Sequence, residues 1–193
     1  MATKNILKLI DFILKSGASD AVVFKVDDIE TKKSLAEQCI EPKCENYGLS
    51  KNCPPYIDSY EVFKEKLKQF DKCIFFKIDI PKSILFSSDN VEVFALLHEI
   101  ASQSEHFAIK NGFQSAKGYA GGSCKVVFCY DYPECSAISA KKMCRFPESV
   151  RESMSGFGID VGKLAKKAGW KNNLFSDEEI SSVYGLLLLK NNI

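Results

Sequence analysis

Seven of the eight cysteines fall into two groups. The first is Cys39-x4-Cys44-x8-Cys53, within CIEPKCENYGLSKNCPPY, and the second is Cys124-x4-Cys129-x5-Cys135-x8-Cys144, within GGSCKVVFCYDYPECSAISAKKMCRFP. Thiolates at this density repel one another and resist burial unless a cation shares their charge, so both groups point to metal. Structural zinc sites usually draw on close cysteine pairs, about two to four residues apart, often with histidine. This chain has no Cys-x-x-Cys, and His98 and His106 stand apart from both groups. An all-thiolate set with a Cys53-Pro54 dipeptide and neighbouring glycines suits iron–sulfur ligation better. The expected cofactor is one or two iron–sulfur clusters of the 4Fe–4S type, with zinc as the alternative.

Three cysteines in one group and four in the other make seven, one short of what two fully thiolate-ligated four-iron clusters require. One resolution closes the four-cysteine group and leaves the three-cysteine group with an open or non-cysteine position, where iron could act as a Lewis acid on a substrate. Another is a single site drawing on both groups, with the remaining thiols redox-active or merely local. Cys73 could be an eighth ligand, but it begins the apolar run CIFFKI and reads as a core residue. Arg145, next to Cys144, would neutralise an anionic cluster, hold a substrate carboxylate, or simply face solvent. Pro54 and Pro55 would stiffen and screen the first site, and Gly48, Gly121 and Gly122 would bring backbone N–H groups to cluster sulfides. Tyr47, Tyr56, Tyr130 and Tyr132 would shield a cluster from water or pack an irregular loop.

The elements that must position these loops emerge from periodicity. Residues 4–16 read as an amphipathic helix with Ile6, Ile10, Ile13 and Leu14 inward, ended by Gly17. Its Lys8 and Asp11 argue against a secretory leader. Ala21 to Val26 reads as a strand, residues 59–70 as a helix capped by Ser59 with Val62, Phe63, Leu67 and Phe70 on one face, and 73–80 as a strand stopped by Pro81. A long helix follows from about Val91 to Lys110, with Phe94, Leu97, Ile100 and Ala101 inward, then a short helix over 160–169 and a closing strand over 183–189. Alternating helices and strands predict an α/β or α+β fold: a mixed sheet covered by helices, one domain spanning 1–193, with cysteine-rich metal-binding loops at about 39–56 and 121–147.

Composition narrows the function classes. The 26 basic and 25 acidic residues nearly cancel, and only Arg145 and Arg151 are arginines, which disfavours nucleic acid as a partner. The run Leu186 to Leu189 is too short for a bilayer, which needs about 20 apolar residues, so no membrane partner is expected. Clustered thiols without a leader fit a reducing cytoplasm. No Gly-x-Gly-x-x-Gly, phosphate-cradling loop or Ser/His/Asp order supports nucleotide or hydrolase chemistry.

The combination of CENYGLSKNCPPY, GGSCKVVFCYDYPEC and CRFPESVRESMSGFGIDVGKLAKKAGW resembles the predicted metal-binding proteins grouped as domain of unknown function 2284, from about Cys39 to Trp170. The resemblance implies Cys39, Cys44, Cys53, Cys124, Cys129, Cys135 and Cys144 as metal ligands and implies no particular reaction. The family pattern has Arg-Pro-Ser-Met-Glu where this chain reads Arg151-Glu152-Ser153-Met154-Ser155. Three functions are consistent with these features. One is an iron–sulfur electron carrier or accessory redox protein with a partner protein. The second is an iron–sulfur enzyme acting on a small molecule through an open iron at the three-cysteine site. The third is a zinc-stabilised binding module.

Overall fold

The computed structural model describes residues 2–40, 44–139, 142–171 and 177–192. Residues 41–43 and 140–141 of the two cysteine loops lie outside that set. Five strands form one mixed sheet: β1 (Asp20–Lys25), β2 (Lys72–Pro81), β3 (Phe113–Ala120), β4 (Glu152–Ser153) and β5 (Ile180–Asn191), in the order β1-β2-β5-β3-β4. All pairings are antiparallel except β3 with β4. Eight α-helices are present among the described residues: α1 (Ala2–Lys15), α2 (Lys33–Ala36), α3 (Tyr60–Leu67), α4 (Lys82–Leu85), α5 (Asn90–Lys110), α6 (Cys124–Phe128), α7 (Ser136–Ser139) and α8 (Val161–Lys167).

The alternation of β2 builds two cores. Ile74, Phe76, Ile78 and Ile80 join Leu9 and Ile13 of α1 and Leu97, Ile100 and Ala101 of α5 on one face of the sheet. Cys73 and Phe75 join Phe63 and Leu67 of α3, Leu164 and Ala165 of α8, and Met154 and Phe157 of a 3-10 turn on the other. Strand β5 divides in the same way, with Val183, Leu187 and Leu189 on the first face and Leu186 and Leu188 on the second. The expected sheet covered by helices is therefore the observed one, a three-layer sandwich. Each fully buried large apolar side chain contributes about 1.5–3 kcal/mol.

Local signals decide the boundaries. Ser59 caps α3 by accepting from the Val62 N–H at 3.3 Å, and Asp160 caps α8 by accepting from the Lys163 N–H at 3.0 Å. Two inward assignments differ from the expectation. In α1 it is Leu9 that is buried while Leu14 is 40% exposed, and in α3 Val62 is 45% exposed, because each buried stripe is set by where the sheet lies. Strand β3, FQSAKGYA, was not expected, since its polar residues hide the alternation. Gly118 explains part of that composition: a β-carbon there would stand 2.5 Å from the Ala101 carbonyl oxygen, so strand and helix α5 approach backbone to backbone. No helix among the described residues is long and apolar enough to cross a membrane.

Candidate metal centre

The chain segments bearing cysteines meet beyond the end of β3. Cys39 ends a 3-10 turn after α2, and Cys53 sits in a turn whose N–H donates to Ser50 O at 3.1 Å. That turn is tied to β4 by the Ser153 N–H donating to Asn52 O at 3.1 Å. Cys124 opens α6 and Cys129 ends it, Cys135 precedes α7, and Cys144 lies in the following irregular stretch. The second cysteine stretch is thus partly helical rather than wholly loop.

Two cavities result. One is lined by Cys124, Cys129, Cys135 and Cys144, together with Ser50, Asn52, Lys125 and Arg145. The other is lined by Cys39, Cys44 and Cys53, together with Asn46, Tyr47, Pro54, Gly122, Ser123, Ser153 and Ser155. The seven thiols thus gather as four and three, each set drawn from one sequence group. Cys73 is in neither cavity. It is fully buried beneath the sheet, where burial pushes its thiol up to about 12. Among the described residues, no three His, Cys, Asp or Glu side chains converge on the position of a single ion; the thiols stand around cavities instead.

The electrostatics follow from burial. Cys53 is 6% exposed, and burial pushes its thiol up to about 11, partly offset by a hydrogen bond to Ser123. Burial also raises Cys39, with further upward pressure from the neighbouring Cys44. Cys124 is raised by burial and drawn back by Ser50 and Asn52, whose Oγ and Nδ2 lie 2.9 and 3.5 Å from its sulfur. Cys129 is raised by burial and lowered by the nearby charge of Arg145. Burial thus favours the neutral thiol at Cys39, Cys53, Cys124 and Cys129, and a bound cation reverses that preference because a coordinating thiol gives up its proton. Thiols of this number, ringing two pockets and already receiving hydrogen bonds, suit a thiolate-bound metal group.

Several neighbours stand where their sequence positions suggested. Arg145 stacks over Tyr132, 4.1 Å from its ring centroid, and its Nη1 donates to Glu134 O at 3.0 Å, so its charge is fixed beside the four-cysteine cavity. Tyr47 walls the three-cysteine cavity, whereas Tyr130 is 69% exposed and shields nothing. The glycines behave differently from the expectation. The Gly48 N–H donates to Pro54 O at 2.9 Å and the Gly121 N–H to Tyr184 O at 3.1 Å, so neither is free to serve a cluster. Gly122, at φ +83°, is the glycine that lines a cysteine cavity. A backbone donor to sulfur comes instead from Phe146, whose N–H reaches Cys144 Sγ at 3.4 Å.

Sequence reasoning missed Ser50, Asn52 and Ser123, the polar residues that contact cysteine sulfurs of the two cavities. Their only signal was position, beside Cys53 and Cys124. It also gave no structural part to Arg151, His98 and Glu105. Arg151 Nε donates to Glu105 Oε2 at 3.0 Å, its Nη1 donates to the carbonyls of Pro147 and Val150, and its N–H donates to His98 Nδ1 at 3.0 Å. This buried knot fixes the segment that follows Cys144 against α5.

A family model described as a predicted metal-binding protein, domain of unknown function 2284, matches residues 22–189. No curated protein and no solved structure matches the chain.

Proposed function

The chain belongs to the predicted metal-binding family of domain of unknown function 2284, and from that premise we propose that it holds iron–sulfur clusters at both cysteine cavities and carries electrons in the cytoplasm for a partner protein. The carrying observation is the division of seven thiols into a four-thiol and a three-thiol cavity on either side of one wall, built from residues 50–53 and 122–124. Thiols without histidine favour iron–sulfur over zinc, since neither histidine lines either cavity: His98 is buried under α6 and His106 faces Glu148 at the surface. When bound, such clusters supply one-electron chemistry. The protein's own contribution is the hydrogen bonds from Ser50, Asn52 and the Phe146 N–H, the Ser123 hydroxyl, which accepts from the Cys53 thiol and would donate to its thiolate, and the fixed cation of Arg145, all of which would set potentials. Anaerobic purification followed by iron, zinc and labile-sulfide analysis tests this. Iron with sulfide is the expected result, and stoichiometric zinc without either overturns it.

One observation favours a second reading, an enzyme with an exchangeable metal position. The three-cysteine cavity is completed, among the described residues, by the neutral groups of Asn46, Tyr47, Ser123, Ser153 and Ser155 rather than by a fourth thiol. A metal group held there by three thiolates keeps a position for a substrate atom. A change in the spectrum of one centre only, on adding a small thiol or cyanide, is the expected result, and unchanged spectra leave the carrier.

A further inference from the structure

Beside the three-cysteine cavity lies a second, wider cleft. It is lined by Leu85, Phe94, Met154, Val161, Val183 and the ring of Tyr184, with the small residues Gly121, Ser155, Gly162 and Ser182 between them. Two features give it a function. Its wall is continuous with that of the cysteine cavity: Ser155 lines both, Gly121 of the cleft is followed by Gly122 of the cavity, and Met154 of the cleft sits between Ser153 and Ser155 of the cavity. Its lining is also wholly uncharged, in a chain where about a quarter of residues are charged. Phe94, on the otherwise well-buried stripe of α5, is only half-buried because its ring forms part of this cleft.

We infer that this cleft binds an uncharged small molecule with an apolar body, and turns its polar or sulfur-bearing head toward the three-cysteine centre. This rests on the exchangeable-position reading above and names its substrate class. Apolar walls of this kind stabilise a ligand by burying its surface, with a few polar groups fixing its orientation. The hydroxyl of Ser155, at the junction, is placed to orient the head. The lining holds no side-chain cation to pair with a carboxylate or phosphate on the body, so the cleft favours uncharged ligands over anions.

The test uses metal-loaded protein and benzyl alcohol, with benzoate as its charged counterpart. Equilibrium dialysis should show saturable binding of benzyl alcohol at one site, with benzoate at least about tenfold weaker. Gly162→Leu places a side chain in the cleft wall at a helical position and should abolish that binding while leaving the iron content unchanged. Labelled methionine methyls locate the ligand, because the chain has three methionines. Met154, 2% exposed at the cleft, should shift, and Met143, 82% exposed elsewhere, should not. Benzyl mercaptan should perturb the spectrum of one centre at concentrations at least about tenfold lower than ethanethiol, since its ring adds cleft burial. That advantage should vanish in Gly162→Leu. The proposal falls if binding is unsaturable, if benzoate binds as well, if Gly162→Leu has no effect, or if the two thiols act equally. Failure of the iron–sulfur reading would appear separately, as protein without iron.

Discussion

Cys53 Sγ donates to Ser123 Oγ across 3.6 Å, and the next residue along the chain from that acceptor is Cys124, a thiol of the other cavity. The two candidate centres therefore share a wall one residue thick. On the far side of the wall, Ser50 Oγ lies 2.9 Å from Cys124 Sγ. Each centre thus has its own hydroxyl, and the two can be removed separately.

Ser123→Ala should lower the reduction potential of the three-cysteine centre, and Ser50→Ala that of the four-cysteine centre. The expected shift is about 40 mV, equivalent to about 1 kcal/mol between oxidation states of a one-electron couple. Potentiometric titration monitored by paramagnetic resonance resolves the two. If either substitution moves both centres equally, the assignment of hydroxyls to separate cavities is wrong.

Cys73 lies in the second core, opposite Leu188 in the β2–β5 pairing. Cys73→Ala should leave iron per chain unchanged and cost about 1–2 kcal/mol of stability through lost packing. Cys73→Ser should be less stable still, as a buried hydroxyl without a partner costs about 1–3 kcal/mol. Iron analysis with chemical denaturation checks both, and a fall by a whole cluster would make Cys73 a ligand.

Arg151 and Glu105 form a buried ion pair, with side chains 7% and 16% exposed. Arg151→Met would remove the counter-charge of the part-buried Glu105 carboxylate and leave it the Gly118 N–H as donor, at a cost of about 1–3 kcal/mol. Because the same guanidinium holds the carbonyls of Pro147 and Val150, loss of iron from the four-cysteine centre should precede global unfolding. Metal release and circular dichroism followed in one thermal ramp would separate the two events.

His98 is fully buried, and burial, followed by the charge of Arg151, pushes its imidazole down to about 4. The unfolded chain protonates this ring near its ordinary value of about 6.5. Between those values the unfolded state binds the extra proton, so stability falls as pH drops from about 6.5 toward about 4 and changes no further below that. His98→Asn, which retains an acceptor for the Arg151 N–H, should flatten this stretch of the stability–pH curve relative to the parent protein. Identical slopes would mean that His98 titrates normally in the fold.

Neither hydrophobic core includes any described residue between Gly121 and Ser149. Apart from local contacts such as Phe128 against Phe146 and His98, little apolar burial holds that stretch. Anaerobic chelation should therefore accelerate hydrogen exchange there while β2 and β5 stay protected. Equal protection before and after chelation would mean that the segment is ordered without metal.

Helices α1, α3, α5 and α8 were legible from their 3.6-residue apolar period, and β1, β2 and β5 as short apolar runs, those of β2 and β5 buried on both faces; α2, α4, α6 and α7, only four or five residues each, are too short to show a period. Strand β3 was not legible, since Gln114, Ser115, Lys117 and Gly118 break the alternation and Gly118 is explained only by helix α5 across the sheet. The grouping of the seven thiols as four and three could be read from spacing, because each group is local in sequence. The shared wall could not. It depends on the Cys53 turn meeting the β3–α6 turn, a contact about 70 residues long in sequence that only β-sheet topology creates.

That topology also sets an order of events during synthesis. Strand β5 lies between β2 and β3 and pairs with both along most of its length, yet it is made after both cysteine groups. The Gly121 N–H that anchors the turn before Cys124 donates to Tyr184 of that late strand. While the ribosome is still extending the chain toward residue 180, β2 and β3 lack their common neighbour and the turn before Cys124 lacks its anchor on Tyr184. On the iron–sulfur reading proposed above, insertion would therefore follow synthesis of the central strand, and the nascent thiols would need protection from oxidation until then.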